Sequence, residues 1–588
     1  MKQIHVSVLG TKIASDAIEY RKRDFVRDAR IVEKSPFAFT CDDVVEELCQ
    51  NMSLPEILMS NQYKTKVFQL DFHKKVFSYI KQFNSDIIIL DMLCMRTFIY
   101  EMEFENGKVY RITWDSDVQN QLPLIKGCLE KVFLSKIVKE ARINPVLWSQ
   151  EKLESEIKLY CDKIKKEFDG KKVVLLEGQN IYQYFDRFGR FAVLPQVEMV
   201  NQYNNFYDLC VKYFKKYFKC FTIKKTSNLY GDERVKNANI FQYNLCYYNY
   251  INECLYEIYQ NEYTKEKADE ILDRHNVKNE IELKQLMLKS VVDLTYLRQR
   301  NRKIIVIGEV DVYTYMLRQK YGLEVFKSIP YDETVNVETV QEQIASYAWK
   351  NDEYMIVVTR LYAHNHILRK LWEMGYGCNI GYYCINHPLI ELKDFCGHYE
   401  DFYGNVVDVQ TPVTIKLAGC GIKVSIGKGE ISTGSFFQLM NEASLTIEDG
   451  IRTGERRFTS ICYDGSNAYF GENTYLGSDF HLRNSFFYYM EMGKRCVMEE
   501  GAILFNGDGH AIFNLDNNQN VNYNLVNTRP EKHKIVLGDE VCVGRHAFVL
   551  SGSNIPSGCL VEAEAFVNKV FKHEKSYIAG LSAEEIEV

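Results

Sequence analysis

The sequence predicts a multidomain protein: an α/β N-terminal domain, a helical connector, a small α/β middle domain and a C-terminal hexapeptide-repeat parallel β-helix. Three observations carry this. Aliphatic residues recur at every sixth position at Leu537, Val543, Val549, Ile555, Val561 and Val567, and small or apolar residues follow at Val541, Ala547, Ser553, Cys559 and Ala565. A helix repeats about every 3.6 residues and a flat strand about every 2. An unbroken six fits a coil whose flat faces each take one hexapeptide, stacking every sixth side chain on an inward ladder. Second, short apolar runs alternate with helical patterns over the first two thirds of the chain, as in sheets covered on both faces. Third, 588 residues exceed what one core organises.

Residues 1–255 read as the first α/β domain. Ile4–Leu9 is a short strand entering the turn Gly10-Thr11-Lys12. Asp86–Asp91 and Lys172–Glu177 are near-continuous apolar runs between charges, the pattern of buried parallel strands. Gln150–Phe168 is helical in pattern. Residues 256–300 are charged and helical, a connector. Residues 301–404 form a small Rossmann-like unit: strands at Lys303–Gly308, Tyr354–Thr359 and Cys378–Tyr383, helices at Asp311–Tyr321 and His366–Met374. Gly308 stands alone, without the glycine pattern that brings backbone up to a pyrophosphate. From 405 to 588 helical patterns vanish. The six-residue register appears at Phe470-Leu476-Leu482 and Met492-Met498-Leu504, breaks at Phe505 and resumes at Leu537. About thirty residues therefore leave the coil as a loop, and long loops in compact domains concentrate function.

Composition excludes several classes. A net charge of −7 without a basic block argues against nucleic acid. No run reaches the length of a membrane span. The start is not a secretory signal, and 17 cysteines, an odd number without paired spacing, predict reduced thiols in a cytoplasmic protein. His364 and His366 stand two apart with no third ligand at useful spacing, so no metal is expected.

The loop opens with Asn506-Gly507-Asp508-Gly509-His510-Ala511-Ile512-Phe513 and continues to Asn520-Val521-Asn522; the coil resumes at Ile535–Gly544. Residues 405–588 resemble the left-handed β-helix acyltransferases, and within them the polysaccharide O-acetyltransferases. The resemblance implies a left-handed coil and His510 as general base, a role that suits a side chain titrating near neutrality. It also implies Asp508 as its orienting or acceptor-binding partner and a backbone N–H for the oxyanion. Asn506 and Asn522 would contact the acceptor, a glycan or nucleotide sugar. The donor would be acetyl-coenzyme A, met by Cys542, Gly544, Ser551, Ala563 and Lys569. The assembly would be a homotrimer with sites between subunits. The chain departs from that family at three places: Cys542 replaces a usual Trp, Glu562-Ala563-Glu564 a usual Gly-Ala-Gly, and Ala579-Gly580-Leu581-Ser582-Ala583-Glu584 the usual Ala-Gly-Asn-Pro-Ala-Lys. Two carboxylates where glycines admit an anionic donor oppose it by charge and bulk.

Val8–Asp16 resembles the strand-turn bearing the nucleophile of SGNH-type hydrolases. Asp91 with Arg96, and Gly231–Asp232 with Phe241–Tyr243, fall near that family's later blocks. Thr11 stands at the serine position and Gln242 at the histidine position. Gln is no base, so the resemblance implies a degenerate domain. Two functions follow as expectations: an acyltransferase acting on a surface-polysaccharide or glycan precursor, or a non-catalytic glycan-binding scaffold built from decayed enzyme domains.

Overall fold

In the computed structural model the described residues are 4–11, 14, 16–18, 26–40, 43–50, 62–187, 189–234, 243–291, 302–308, 310–320, 322–331, 336–347, 353–359, 367, 370–371, 374, 382–384, 389–485, 487–507, 533–581 and 583–586. The chain packs into two compact units, Met1–Tyr184 with Met199–Glu280, and Phe185–Glu198 with Ile281–Val588.

The first unit holds a five-stranded parallel sheet in the order Phe221–Ile223, Lys172–Leu176, Ile87–Asp91, Ile4–Leu9, Val26–Val32. Every residue of the central strand Ile87–Asp91 is buried, which is why its apolar run is unbroken. A separate antiparallel sheet of Val109–Thr113, Ile99–Phe104 and Ile137–Ile143 carries its own core. The helix expected near Gln150 forms over Gln150–Glu167, its first turn capped by Ser149 Oγ accepting from Lys152 N. The helical pattern of the connector resolves into Leu245–Gln260 and Lys265–Val291. Asn261, left-handed at φ 65°, closes the first of them.

The second unit contains a four-stranded parallel sheet in the order Val325–Pro330, Lys303–Gly308, Tyr354–Val358, Tyr382–Cys384. The helix expected over Asp311–Tyr321 forms as Val310–Tyr315 and then widens into a π turn at Met316–Lys320. Most of the helix expected at His366–Met374 lies outside the described residues.

Beyond Leu389 the chain winds as a parallel β-helix. Strands pair in register into three stacks. The first runs through Lys423–Ile426, Ser444–Ile447, Asn467–Phe470, Tyr489–Met492, Lys534–Leu537 and Asn554–Ile555. The second runs from Phe436–Met440 through Thr459–Cys462, His481–Asn484, Ile503–Asn506 and Phe548–Leu550 to Phe566–Val567. The third runs from Gly429–Glu430 to Tyr577–Ala579. The six ladder residues from Leu537 to Val567 are all buried. Each contributes about 1.5–3 kcal/mol by leaving water.

Residues 412–460, irregular as sequence, are regular as structure. The early coils are simply longer: Asn467 pairs with Tyr489, 22 residues on, whereas Cys542 pairs with Leu560, 18 residues on. Four-residue strands on two faces and a polar corner account for the difference. That corner is a buried ladder. Asn441 Nδ2 donates to Asp464 Oδ1 (3.3 Å), Asn484 Nδ2 to the Asn467 carbonyl (2.9 Å), and Asn506 Nδ2 to Asn484 Oδ1 (2.8 Å). An antiparallel strand lies on the coil at each end: Leu389–Glu400 on Val406–Ala418, and Glu584–Ile586 on Tyr577–Ala579, the last rung of the third stack.

Candidate functional site

The excursion leaves the coil without disturbing its register. Tyr489 on the near side pairs with Lys534 on the far side, and Ile503 with Phe548. Asp508, His510 and Asn522 lie on it, outside the described residues. Its two roots share one aromatic ring. A Cβ on Gly507, which has φ +92°, would come within 2.4 Å of the Tyr488 ring, and His533 meets that ring edge-on at 4.4 Å. The loop is therefore anchored at the corner between the second and first stacks. Tyr488 carries no signal in the six-residue register; its place beside the break at Phe505 emerges only when the coils are stacked.

Asn506, expected to contact an acceptor, is fully buried as the last rung of the polar ladder. Its Nδ2 donates to Asn484 Oδ1 and to the Tyr489 carbonyl (2.9 Å). Its role here is to hold the corner, and an acceptor contact is dropped for it.

The five residues expected at a donor site fall on two corners. Ser551 and Lys569 lie at the corner of the excursion. Ser551 N donates to the Phe505 carbonyl (3.2 Å), and Lys569 Nζ sits 5.7 Å from the Phe571 ring centre. Cys542, Gly544 and Ala563 gather at the corner where the third stack turns into the second. Gly544 lacks a side chain for a packing reason: a Cβ there would lie 2.6 Å from Ala563 N and 2.8 Å from the Val561 carbonyl. Cys542 points outward between Val497 and Leu560, half-buried, and burial pushes its thiol up, with Glu499 adding to the effect.

This second corner is acidic. Ala563 and Glu564 are exposed, and Glu564 holds φ +62° with its N–H on the Arg545 carbonyl (2.7 Å). Glu562 is half-buried and raises the Tyr577 phenol by hydrogen bonding to it. Glu499 Oε2 accepts from Arg545 N (3.1 Å). Glu500 is paired with Arg456. Left-handed residues stack here coil upon coil, at Asp479, Gly501, His546 and Glu564. His546 is thus a corner residue. His481 lies half-buried on the second stack, and burial, then Arg483, lowers its pKa.

In the first unit, Asp91 ends the central strand, fully buried. Thr11 donates to its Oδ2 twice, from Oγ1 and from N (3.1 Å), and Leu93 N to its Oδ1 (3.0 Å). Burial raises the carboxyl's pKa against these hydrogen bonds. Gly10 is required beside it, since a Cβ would lie 2.3 Å from Asp91 Cβ. Thr11 and Asp91 thus meet at the carboxyl edge of the sheet, where open α/β folds place ligands. Gln242, His364 and His366 lie outside the described residues. Among the described residues no group of three or more His, Cys, Asp or Glu is placed to hold a metal ion. No described helix is long and apolar enough to cross a membrane.

No family model matches the chain, and no curated protein matches it. Among solved structures the chain is similar to the polysialic acid O-acetyltransferase OatWY, at 22% identity over 31% of this chain and 85% of that one, with a TM-score of 0.26. It is similar to the polySia-specific acetyltransferase NeuO at 20% identity over 30% and 86%, with a TM-score of 0.22, and to the acetyltransferase domain of PglB from Neisseria gonorrhoeae at 14% identity over 48% and 100%, with a TM-score of 0.12.

Proposed function

We infer that the chain is an acyltransferase that moves an acetyl group from acetyl-coenzyme A to a hydroxyl of a surface-polysaccharide or glycan precursor. The coil is left-handed and His510 is the base. The observation that carries this reading is the excursion: a long loop bearing Asp508-Gly509-His510 leaves one corner of an otherwise continuous β-helix, between strands that stay in register. His510 takes the proton of the acceptor hydroxyl as its oxygen attacks the thioester carbonyl. Asp508 orients the imidazole. The C–S bond breaks, and the proton passes to the departing thiolate. Asn522 is assigned to the acceptor, and Cys542, Gly544, Ser551, Ala563 and Lys569 to the donor. The enzyme works in the cytoplasm as a homotrimer, through the outward ladder of the second stack. The N-terminal unit is SGNH-like without hydrolytic activity: with Thr11 held on Asp91, it supports the chain rather than cleaving an ester.

The test is thiol release from acetyl-coenzyme A with glycan acceptors. His510→Ala is expected to lower kcat by at least about 100-fold with little change in thermal stability. Full activity in that variant sinks the assignment.

One observation favours the second reading, a non-catalytic glycan-binding scaffold. The corner expected to meet the anionic donor carries Glu499, Glu500, Glu562 and Glu564, and the lack of a side chain at Gly544 is explained by coil stacking alone. Absence of saturable acetyl-coenzyme A binding would select it.

A further inference from the structure

The first coil of the β-helix is incomplete. Val406–Ala418 pairs along its first half with Lys423–Ile426 and along its second half with Phe436–Met440. A single strand thus supplies the first rung of two stacks. The third stack receives none and starts one coil later at Gly429–Glu430, which pairs onward with Ile451–Thr453. The chain crosses the missing rung at Thr411-Pro412, where Pro has no N–H to offer a ladder. The result is a notch of about 660 Å³, lined among others by Thr411, Glu430, Ser432, Thr433, Thr453 and Glu455. That is the size of small-ligand sites, roughly 300–1,000 Å³.

Its lining is made of hydroxyls and carboxylates. Thr411 Oγ1 donates to the Gly427 carbonyl (2.9 Å), Ser432 Oγ pairs with Ser435 Oγ (2.8 Å), and Thr453 Oγ1 accepts from Ser432 N (2.7 Å). These contacts fix the hydroxyls and leave lone pairs open. Glu430, Thr433 and Glu455 are exposed. Among the described residues neither carboxylate forms an ion pair, although Arg452 stands opposite Glu430 on the next rung. Arg456, adjacent in sequence to Glu455, is instead held by Asp479 (3.0 Å) and Glu500. A carboxylate not engaged in an ion pair accepts a pair of hydrogen bonds from neighbouring hydroxyls. It repels an anionic sugar.

We propose that this notch binds an uncharged, polyhydroxylated sugar residue of the glycan acceptor, three coils from the excursion. At the strand spacing of about 4.8 Å the two places lie about 14 Å apart along the axis, the notch at the start of the third stack and the root of the excursion at the corner between the second and the first. The proposal rests on the glycan-acceptor reading above and adds to it a subsite with a charge preference. Hydroxyl donors bridge to Glu430 and Glu455, and the fixed hydroxyls of Thr411, Ser432 and Thr453 complete the contacts.

The experiment uses the full chain on an array of oligosaccharides: neutral hexose and N-acetylhexosamine oligomers, and carboxylated oligosialic acids. Calorimetry follows on the best neutral binder. The expected result is saturable binding of a neutral oligosaccharide, weakened at least tenfold in Glu430→Ala/Glu455→Ala, with the circular dichroism spectrum unchanged. The proposal is overturned if no neutral oligosaccharide binds, if the double variant binds as tightly as the parent, or if oligosialic acid is preferred. Acetyl transfer is measured in parallel. Carboxylate-dependent sugar binding without transfer refutes the acyltransferase and leaves the notch. Transfer with sugar binding indifferent to the two carboxylates refutes the notch alone.

Discussion

Asp401 sits in the turn between Leu389–Glu400 and Val406–Ala418, fully buried. It accepts hydrogen bonds from Tyr399 OH (2.7 Å), Tyr403 N (2.9 Å), Asn405 N (3.1 Å) and Asn405 Nδ2 (3.0 Å). Burial outweighs these donors and lifts the carboxyl from 3.8 to about 6. A raised acid stabilises the fold while protonated, fully at pH below 3.8, and that contribution is lost as pH rises through 6. The interval corresponds to about 3 kcal/mol. In urea titrations the stability of the parent relative to Asp401→Asn should therefore fall by up to about 3 kcal/mol between pH 4 and pH 7; a constant difference contradicts the titration. Nothing in the sequence marks this aspartate, because its pKa is set by burial in a turn. Asn506 is a different case. Its neighbours in the loop suggested an acceptor contact, while a legible signal pointed elsewhere: Asn506 follows Asn484 by 22 residues, one long coil, and the two stand opposite each other in the register. A period of six conceals a period of 22.

Secondary elements were the most legible scale. Ile4–Leu9, Ile87–Asp91, Lys172–Leu176 and Lys303–Gly308 form where uninterrupted apolar runs put them, since strands buried on both faces need no polar alternation. The late coils follow the hexapeptide register because one inward side chain per face suffices there. The early coils blurred it because two of their faces carry two inward residues each, as in Met490 and Met492. Corners obey a rule of their own. Glu564 occupies a left-handed position that costs a residue with a Cβ about 1 kcal/mol. Glu564→Gly should leave stability unchanged or raise it by up to about 1 kcal/mol in thermal unfolding. It should also tighten acetyl-coenzyme A about fivefold, the equivalent of about 1 kcal/mol of relieved repulsion. Destabilisation of the variant would refute the strain; unchanged donor affinity would separate this corner from the donor.

For the whole molecule, sequence order misleads in one respect. Residues 185–198 pack with the second unit although they are flanked on both sides by residues of the first. Local pattern has no means of announcing such an exchange. Phe548 and Phe566, 40% and 36% exposed with rings 6.4 Å apart, continue the outward column of His481 and Ile503 on the second stack. Apolar columns of this kind on a sheet face mark contact surfaces. Light scattering on the parent should give about three times the 68.8 kDa of one chain, and Phe548→Glu should return it to one; a monomeric parent excludes the trimer.

A stack of parallel strands is, at each end, a template on which a further chain could crystallise strand by strand, as fibrils grow. Here Leu389–Glu400 runs the other way along the first rung of two stacks, and Glu584–Ile586 along the last rung of the third. Those reversed strands are terminators. On the rungs they cover, they deny a further parallel strand its template.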